Sequence, residues 1–341
     1  MQIGYKLATE AFAPKEVVRQ AVEAERAGFD FVEMSDHFHP WLETQGHSGF
    51  TWALLANIAA RTQTLGLATG VTCPSVRYHP AVIAQAAATM QIISDGRFTL
   101  GVGAGERLNE HVVGTQHFPG IRVRHERFRE ALEIIRLLWQ GGYRTYEGKH
   151  LQLEDARVFD LPEELPAIAV AASGPASARI AAELGDGLFA TEPKGDMVAT
   201  WKRLGGSGPA FAEIPLAWAP DAESAAQAVW EKTRWALTGW KVMSELPNPV
   251  NFDAATQSVT TEQIQAQFAC GPDVARHLEV AQPFVDAGFD HVVTMNAGPD
   301  PDGFFDFFRR ELAEPLRALT PSDDAQGPGL ADRVLGAVRG G

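Results

Sequence analysis

The sequence predicts an α/β chain folded as a (β/α)8 TIM barrel, and three observations carry that prediction. First, short apolar runs of the kind that form strands buried on both faces recur along the chain. They are QIGYKLA (2–8), FDFVEMSD (29–36), LGLATGVT (65–72), RFTLGVGAG (97–105), AIAVAA (167–172), GLFAT (187–191), FAEIPLAWA (211–219) and FDHVVTMNA (289–297), which makes eight. Second, amphipathic segments separate them. In 124–139, Phe128, Ala131, Leu132, Ile135, Leu138 and Trp139 share one helical face, as do Phe304, Phe305, Phe308 and Leu312 near the end. Third, one helix-to-strand phrase occurs twice, AGFDFVEM (27–34) and AGFDHVVTM (287–295), each with a glycine where a helix would end. Eight β–α pairs suit a closed barrel. The rival is an open doubly wound sheet, but GVGAGE (101–106) does not complete a G-x-G-x-x-G.

Taken in order, most elements have a local justification. Pro80 and Pro175 stand where a first helical turn accepts proline. Residues 140–166 break the alternation and read as a small hairpin inserted before the fifth strand. Residues 240–272, with Pro247 and Pro249, read as an irregular insertion before the eighth. Long insertions in a barrel tend to sit over the active-site mouth. Residues 1–320 are expected to form one barrel domain. Residues 321–341, rich in Gly, Asp and small side chains, are expected to form a flexible tail with a short helix over 330–338.

Composition narrows the function classes. The 341 residues carry 29 Lys and Arg against 43 Asp and Glu, a formal charge of −14. That balance argues against nucleic acid and anionic membranes as partners, since both are bound through basic patches. The two cysteines, Cys73 and Cys270, offer no zinc spacing and need no disulfide framework, which suits a reducing cytoplasm. The stretch MQIGYKLATEAF does not read as a signal peptide, so none is expected, and no apolar run is long enough to span a membrane as a helix.

In a (β/α)8 barrel the active site lies at the C-terminal ends of the strands. The second strand ends in Asp36, His37, His39 and Trp41, the third in Gly70, Val71 and Cys73, the fourth in Gly103, Ala104, Gly105, Glu106 and Asn109. The fifth ends in Ser173, Gly174, Ala176 and Ser177, and the sixth in Thr191 and Lys194. Each residue has a plain structural reading alone: Asp36 as a loop cap, Trp41 as core, Lys194 as a solvated cation. Their placement at successive strand ends is what points to a site. Glycine turns let backbone N–H groups approach a phosphate or a ring carbonyl. An imidazole beside an indole can take a hydroxyl proton while the alcohol carbon gives up hydride. No set of side chains reads as a metal site.

The segments SDHFHPW (35–41), RYHPAVIAQAAATM (77–90), GVGAGERLNEH (101–111) and GDGLFATEPK (185–194) resemble the luciferase-like flavin and deazaflavin superfamily. Within it, the likeness is to the coenzyme F420-dependent glucose-6-phosphate dehydrogenase group, over about residues 2–318. The resemblance implies a homodimeric barrel with the deazaflavin ring of F420 in its mouth and a non-proline cis bond at Gly70–Val71. It implies that Asp36, Cys73, Ala104, Gly105, Asn109, Ser173, Gly174, Ala176 and Ser177 line that cofactor. By the same motifs, His37 stands near the substrate hydroxyl, Trp41 stabilises developing charge, and Glu106 handles a proton at the ring. Hydride would pass between a carbinol carbon of a sugar or secondary alcohol and the deazaflavin.

The chain also departs from that pattern. Cys73 stands for Thr and Ser173 for Gly. Of the group's four phosphate-binding residues, Thr191 and Lys194 match two. The later Lys falls near Met243, with Lys241 two places away, and the Arg falls at Gln267. A sugar phosphate would lose charge-assisted contacts there. The same residues would serve a reductase or a redox-neutral epimerase, and the superfamily also holds FMN-dependent monooxygenases.

Overall fold

The computed structural model of the chain describes residues 1–114 and 118–322. All eight expected strands form: β1 (Gln2–Leu7), β2 (Phe31–Met34), β3 (Gly66–Thr69), β4 (Phe98–Val102), β5 (Ala167–Ala171), β6 (Gly187–Ala190), β7 (Ala210–Ala217) and β8 (His291–Asn296). They pair in parallel and in sequence order. The barrel closes through β1 on β8, with Ile3 opposite Val292, and through β6 on β7, with Leu188 opposite Ala210.

Side-chain alternation sorts each strand between two cores. Ile3, Tyr5, Leu7, Leu100, Ile168 and Leu188 face outward into the layer shared with the helices. Phe31, Ala169, Phe189, Phe211 and Val293 face inward and fill the lumen. Gly4 is a glycine because a Cβ there would lie 2.4 Å from the Phe31 ring. The helical face predicted over 124–139 is buried as expected, on a helix spanning Ile121–Leu138. Pro80 and Pro175 each open a helix. Gly28 and Gly288 take left-handed conformations (φ 90° and 93°) where the two AGFD phrases leave their helices.

The first insertion holds the expected hairpin, Arg144–Glu147 against Gln152–Ala156. The second differs from its expectation as irregular chain. It forms three short helices, Trp240–Met243, Pro249–Thr256 and Thr261–Gln267, and then the two-residue strand Ala269–Cys270 beside β7. The reason is capping. Asn248 accepts from the Asn251 N–H ahead of Pro249 in the first turn, and Thr260 and Gln263 form a reciprocal cap. Ser322 bonds Asp286 through its N–H (2.8 Å) and hydroxyl (3.0 Å). The tail expected beyond it, with its helix over 330–338, lies outside the described residues.

Candidate active site

A cavity of ≈ 830 Å³ opens at the C-terminal ends of the strands, the end of the barrel where the fold places its sites. Two loops meet across it through one side chain. Asn109, after β4, accepts from the N–H groups of Phe38 (2.7 Å) and His39 (2.9 Å) after β2. Its amide N–H donates to Glu106 Oε1 (2.6 Å). This clasp brings Glu106 Oε1 to 4.0 Å from His37 Nε2. His39 is anchored by the same clasp, and its ring meets the Leu108 carbonyl (3.2 Å) rather than the cavity.

His37 is held from behind. Its Nδ1 sits 2.7 Å from Glu10 Oε1, in a pair that is almost wholly buried. Burial raises the Glu10 carboxyl, but His37 and then Lys6 overcome that and hold it at about 2. Burial likewise works against the charged imidazole, and Glu10 reverses it, so His37 titrates above its ordinary value. A carboxylate beside Nδ1 favours the proton there and leaves Nε2 for the mouth. The Trp41 ring meets His37 edge-on at 4.9 Å and stacks on Trp235 at 4.4 Å. Among the described residues nothing accepts from the Trp41 indole N–H.

Asp36 is more deeply committed than the sequence suggests. Its carboxylate accepts from Thr72 Oγ1 (2.8 Å), Trp52 Nε1 (3.2 Å), the Tyr78 hydroxyl (3.0 Å) and Arg77 (3.0 Å). It ties the loops after β2 and β3 together, so what it presents to the cavity is backbone shape. Arg77 also gives its backbone N–H to Glu110 Oε2 (2.8 Å). Burial, reinforced by Glu106, pushes the Glu110 carboxyl up to about 8 against the pull of Arg77.

The glycine-bearing turns close the inner wall. The Gly70–Val71 bond is cis, as the resemblance implied. Gly105 has φ 79°, and a Cβ there would lie 2.7 Å from Cys73 Sγ and 3.0 Å from Glu110, so only glycine fits. Cys73 is buried, and burial followed by Glu110 pushes its thiol well up. That suits a packing role rather than a nucleophile. Ser177 Oγ accepts from the N–H groups of Ser173 (3.1 Å) and Gly174 (3.3 Å), knitting the turn after β5.

The structure therefore brings His37, Trp41, Glu106, Gly70, Val71 and Cys73 to one wall, together with Ala104, Gly105, Ser173, Ser177 and Thr191. Asn109 is buried behind that wall, and Gly174 and Ala176 do not line it. Lys194 is not part of it either: its ammonium pairs with Glu192 at 2.6 Å.

Two features were missed in the sequence. Glu10 lies just past β1, the one early strand end whose polar residues were passed over. Beneath the cavity, Lys6 from β1 donates to Glu213 of β7 (2.6 Å), to Glu33 of β2 and to the Gly70 carbonyl (3.0 Å). Burial disfavours the Lys6 ammonium, but Glu213 and Glu33 hold it above its ordinary value. Burial pushes the Glu33 carboxyl well up in spite of Lys6. The signal for both features was charge inside strands or at strand ends that otherwise read as apolar.

Such a mouth, polar groups over a lumen that holds aromatic side chains and a buried ion cluster, defines a (β/α)8-barrel enzyme. Residues 1–291 match the model of the luciferase-like monooxygenase family, and the chain belongs to that family. It is 39% identical over 341 residues to a Nocardia farcinica protein named F420-dependent glucose-6-phosphate dehydrogenase, covering 94% of this chain and 99% of that one. A Rhodococcus erythropolis protein of the same name is 36% identical, covering 94% and 98%. Among solved structures, an F420-dependent secondary alcohol dehydrogenase in complex with an F420–acetone adduct superposes with a TM-score of 0.86 at 27% identity, covering 93% of this chain and 99% of that one. The F420-dependent tetrahydromethanopterin reductase of Methanopyrus kandleri, with a TM-score of 0.74 at 21% identity, shares the fold.

Proposed function

We propose that the protein is an F420-dependent oxidoreductase acting on CH–OH groups, with a sugar or secondary alcohol as substrate. The observation that carries this reading is His37, backed by Glu10 at Nδ1 and turned at Nε2 toward Glu106 on the same wall. The names of the relatives support the cofactor. So does the wall itself. Val71 and Ala171 pack on the lumen's aromatic cluster and give a flat apolar floor, with polar groups to one side, a suitable seat for a tricyclic ring.

F420, when bound, supplies the hydride acceptor or donor. Gly70, Val71, Cys73, Ala104, Gly105, Ser173 and Ser177 would hold it, with Asp36, Asn109, Gly174 and Ala176 setting the shape of that wall. His37 Nε2 takes the carbinol proton in oxidation and returns it in reduction. The free Trp41 N–H donates to the substrate oxygen as its charge grows. Glu106, aligned by Asn109, exchanges a proton beside His37 on the same wall. Thr191 offers a hydroxyl toward the substrate. No helix among the described residues is long and apolar enough to cross a membrane. We place the enzyme in the cytoplasm as a homodimer, a state that sedimentation would check.

Purified protein mixed with oxidised F420 and a panel of alcohols should bleach the F420 absorbance. Product without bleaching would mark an epimerase, and tight FMN binding with indifference to F420 would refute the cofactor. His37→Ala should lower kcat/KM by about 10²–10⁴-fold and leave the F420 affinity unchanged. Undiminished turnover would refute its proton-transfer role.

A further inference from the structure

The outer half of the cavity, between the end of β6 and the insertion after β7, is built from aromatic and aliphatic surface. Trp235 stacks on Trp41, and Trp240 is 39% exposed at the rim. Leu237, Met243 and Phe268 continue that wall. The charges reaching it are close to balanced: Glu192, Glu231 and Glu279 stand against Lys232 and Arg276, with Lys194 on Glu192. The cations nearby stand against carboxylates. Lys194 pairs with Glu192 at 2.6 Å, a half-exposed surface pair. Arg276 pairs with Glu279 at 2.6 Å and donates to the carbonyls of Gln265 (2.9 Å) and Ala266 (3.0 Å). Lys232, beside Glu231, is the other outer cation on the wall among the described residues. Its long exposed side chain is a mobile point charge.

A phosphate ester is a dianion that needs several oriented donors, cations foremost. This wall sets each of its cations beside a carboxylate and so offers an anion no net positive field. It does offer indole faces, which bind the C–H face of a sugar or the body of an apolar alcohol equally well. We infer that the substrate is an uncharged alcohol, carrying no phosphate and held by the Trp235–Trp240 wall. This rests on the F420 reading above.

The test uses F420-loaded enzyme with glucose, glucose 6-phosphate, 2-propanol and 2-octanol. F420 binding is measured separately by fluorescence titration. At least one uncharged alcohol should be oxidised with a kcat/KM above that of glucose 6-phosphate and insensitive to salt. Glucose against 2-octanol distinguishes a polyol from an apolar substrate. Trp240→Ala should raise KM for the preferred alcohol about tenfold, roughly what one aromatic contact contributes, with F420 affinity unchanged. Preference for glucose 6-phosphate over every uncharged alcohol, with a KM that climbs with salt, overturns the inference and leaves the F420 reading standing. A KM unmoved in Trp240→Ala overturns the role of the aromatic wall. Failure to bind F420 overturns the reading beneath both.

Discussion

Replacing Glu10 by Gln removes the negative charge 2.7 Å from His37 Nδ1 and keeps the volume. In the native protein the Glu10 carboxyl is held at about 2 rather than 4.5. That difference corresponds to about 3 kcal/mol in favour of the carboxylate. A depressed carboxyl contributes its stability fully above 4.5 and loses it as pH falls through about 2. His37 runs the other way. Its raised value means a contribution fully present below 6.5 and lost as pH rises through the folded value. Between pH 4.5 and 6.5 both partners are charged in the native state. There Glu10→Gln should destabilise the protein by about 3 kcal/mol, the scale of breaking a buried pair. Without Glu10 the imidazole loses the charge that raised it and stays neutral to lower pH. Alcohol oxidation needs the neutral ring, so the acid limb of kcat/KM should move to lower pH while the plateau falls. Steady-state kinetics across the acid and neutral range, beside thermal melts at each pH, measure both effects. A limb that stays in place or moves to higher pH would refute Glu10's control over His37.

Two further substitutions test groups around the same cavity. Lys6→Met leaves Glu213 without its cation and should destabilise by about 3–5 kcal/mol in thermal melts; the double variant Lys6→Met/Glu213→Gln should recover most of that, and a neutral Lys6→Met would refute the buried pairing. Glu110, raised from 4.5 to about 8, binds its proton more tightly folded than unfolded, so native stability falls by about 1.4 kcal/mol per pH unit across that interval. Glu110→Gln should abolish the slope, matching the native protein near pH 4.5 and exceeding it by about 3 kcal/mol at neutral pH; equal melts at both pH values would refute it.

The barrel was legible because its signal is repeated. Each strand is a short apolar run, and each run is bounded by proline, glycine or a polar cluster that has a mechanical reason to be there. Gly28 and Gly288 show this at the level of single dihedrals. The insertion over 240–272 was not legible, since helices as short as Trp240–Met243 carry too few residues for a period to emerge. His37, Trp41 and Glu106 could be placed at one mouth from strand order alone. Which of their neighbours face that mouth could not. Lys194 lies two residues from Glu192, and nothing in their spacing says that they pair with each other instead of with a ligand. The Lys6, Glu33 and Glu213 cluster draws on three strands up to 207 residues apart, so only the closed barrel reveals it.

Two carboxyls at this mouth have been pushed toward opposite protonation states, and that separation assigns their work. Glu10, held at about 2, is an anion at every working pH and so serves as a fixed counter-charge. Glu110, at about 8, keeps its proton through neutrality because Glu106 is close and water is excluded. A protonated Glu110 lets Glu106 stand 4.0 Å from His37 without a second negative charge packed behind it. With Glu10 locked as an anion and Glu110 mostly protonated, His37 is the group at this mouth placed to receive a proton. A proton arriving from a carbinol then has one place to go, and the field that receives it was built into the loops after β1, β2 and β4 before any ligand enters.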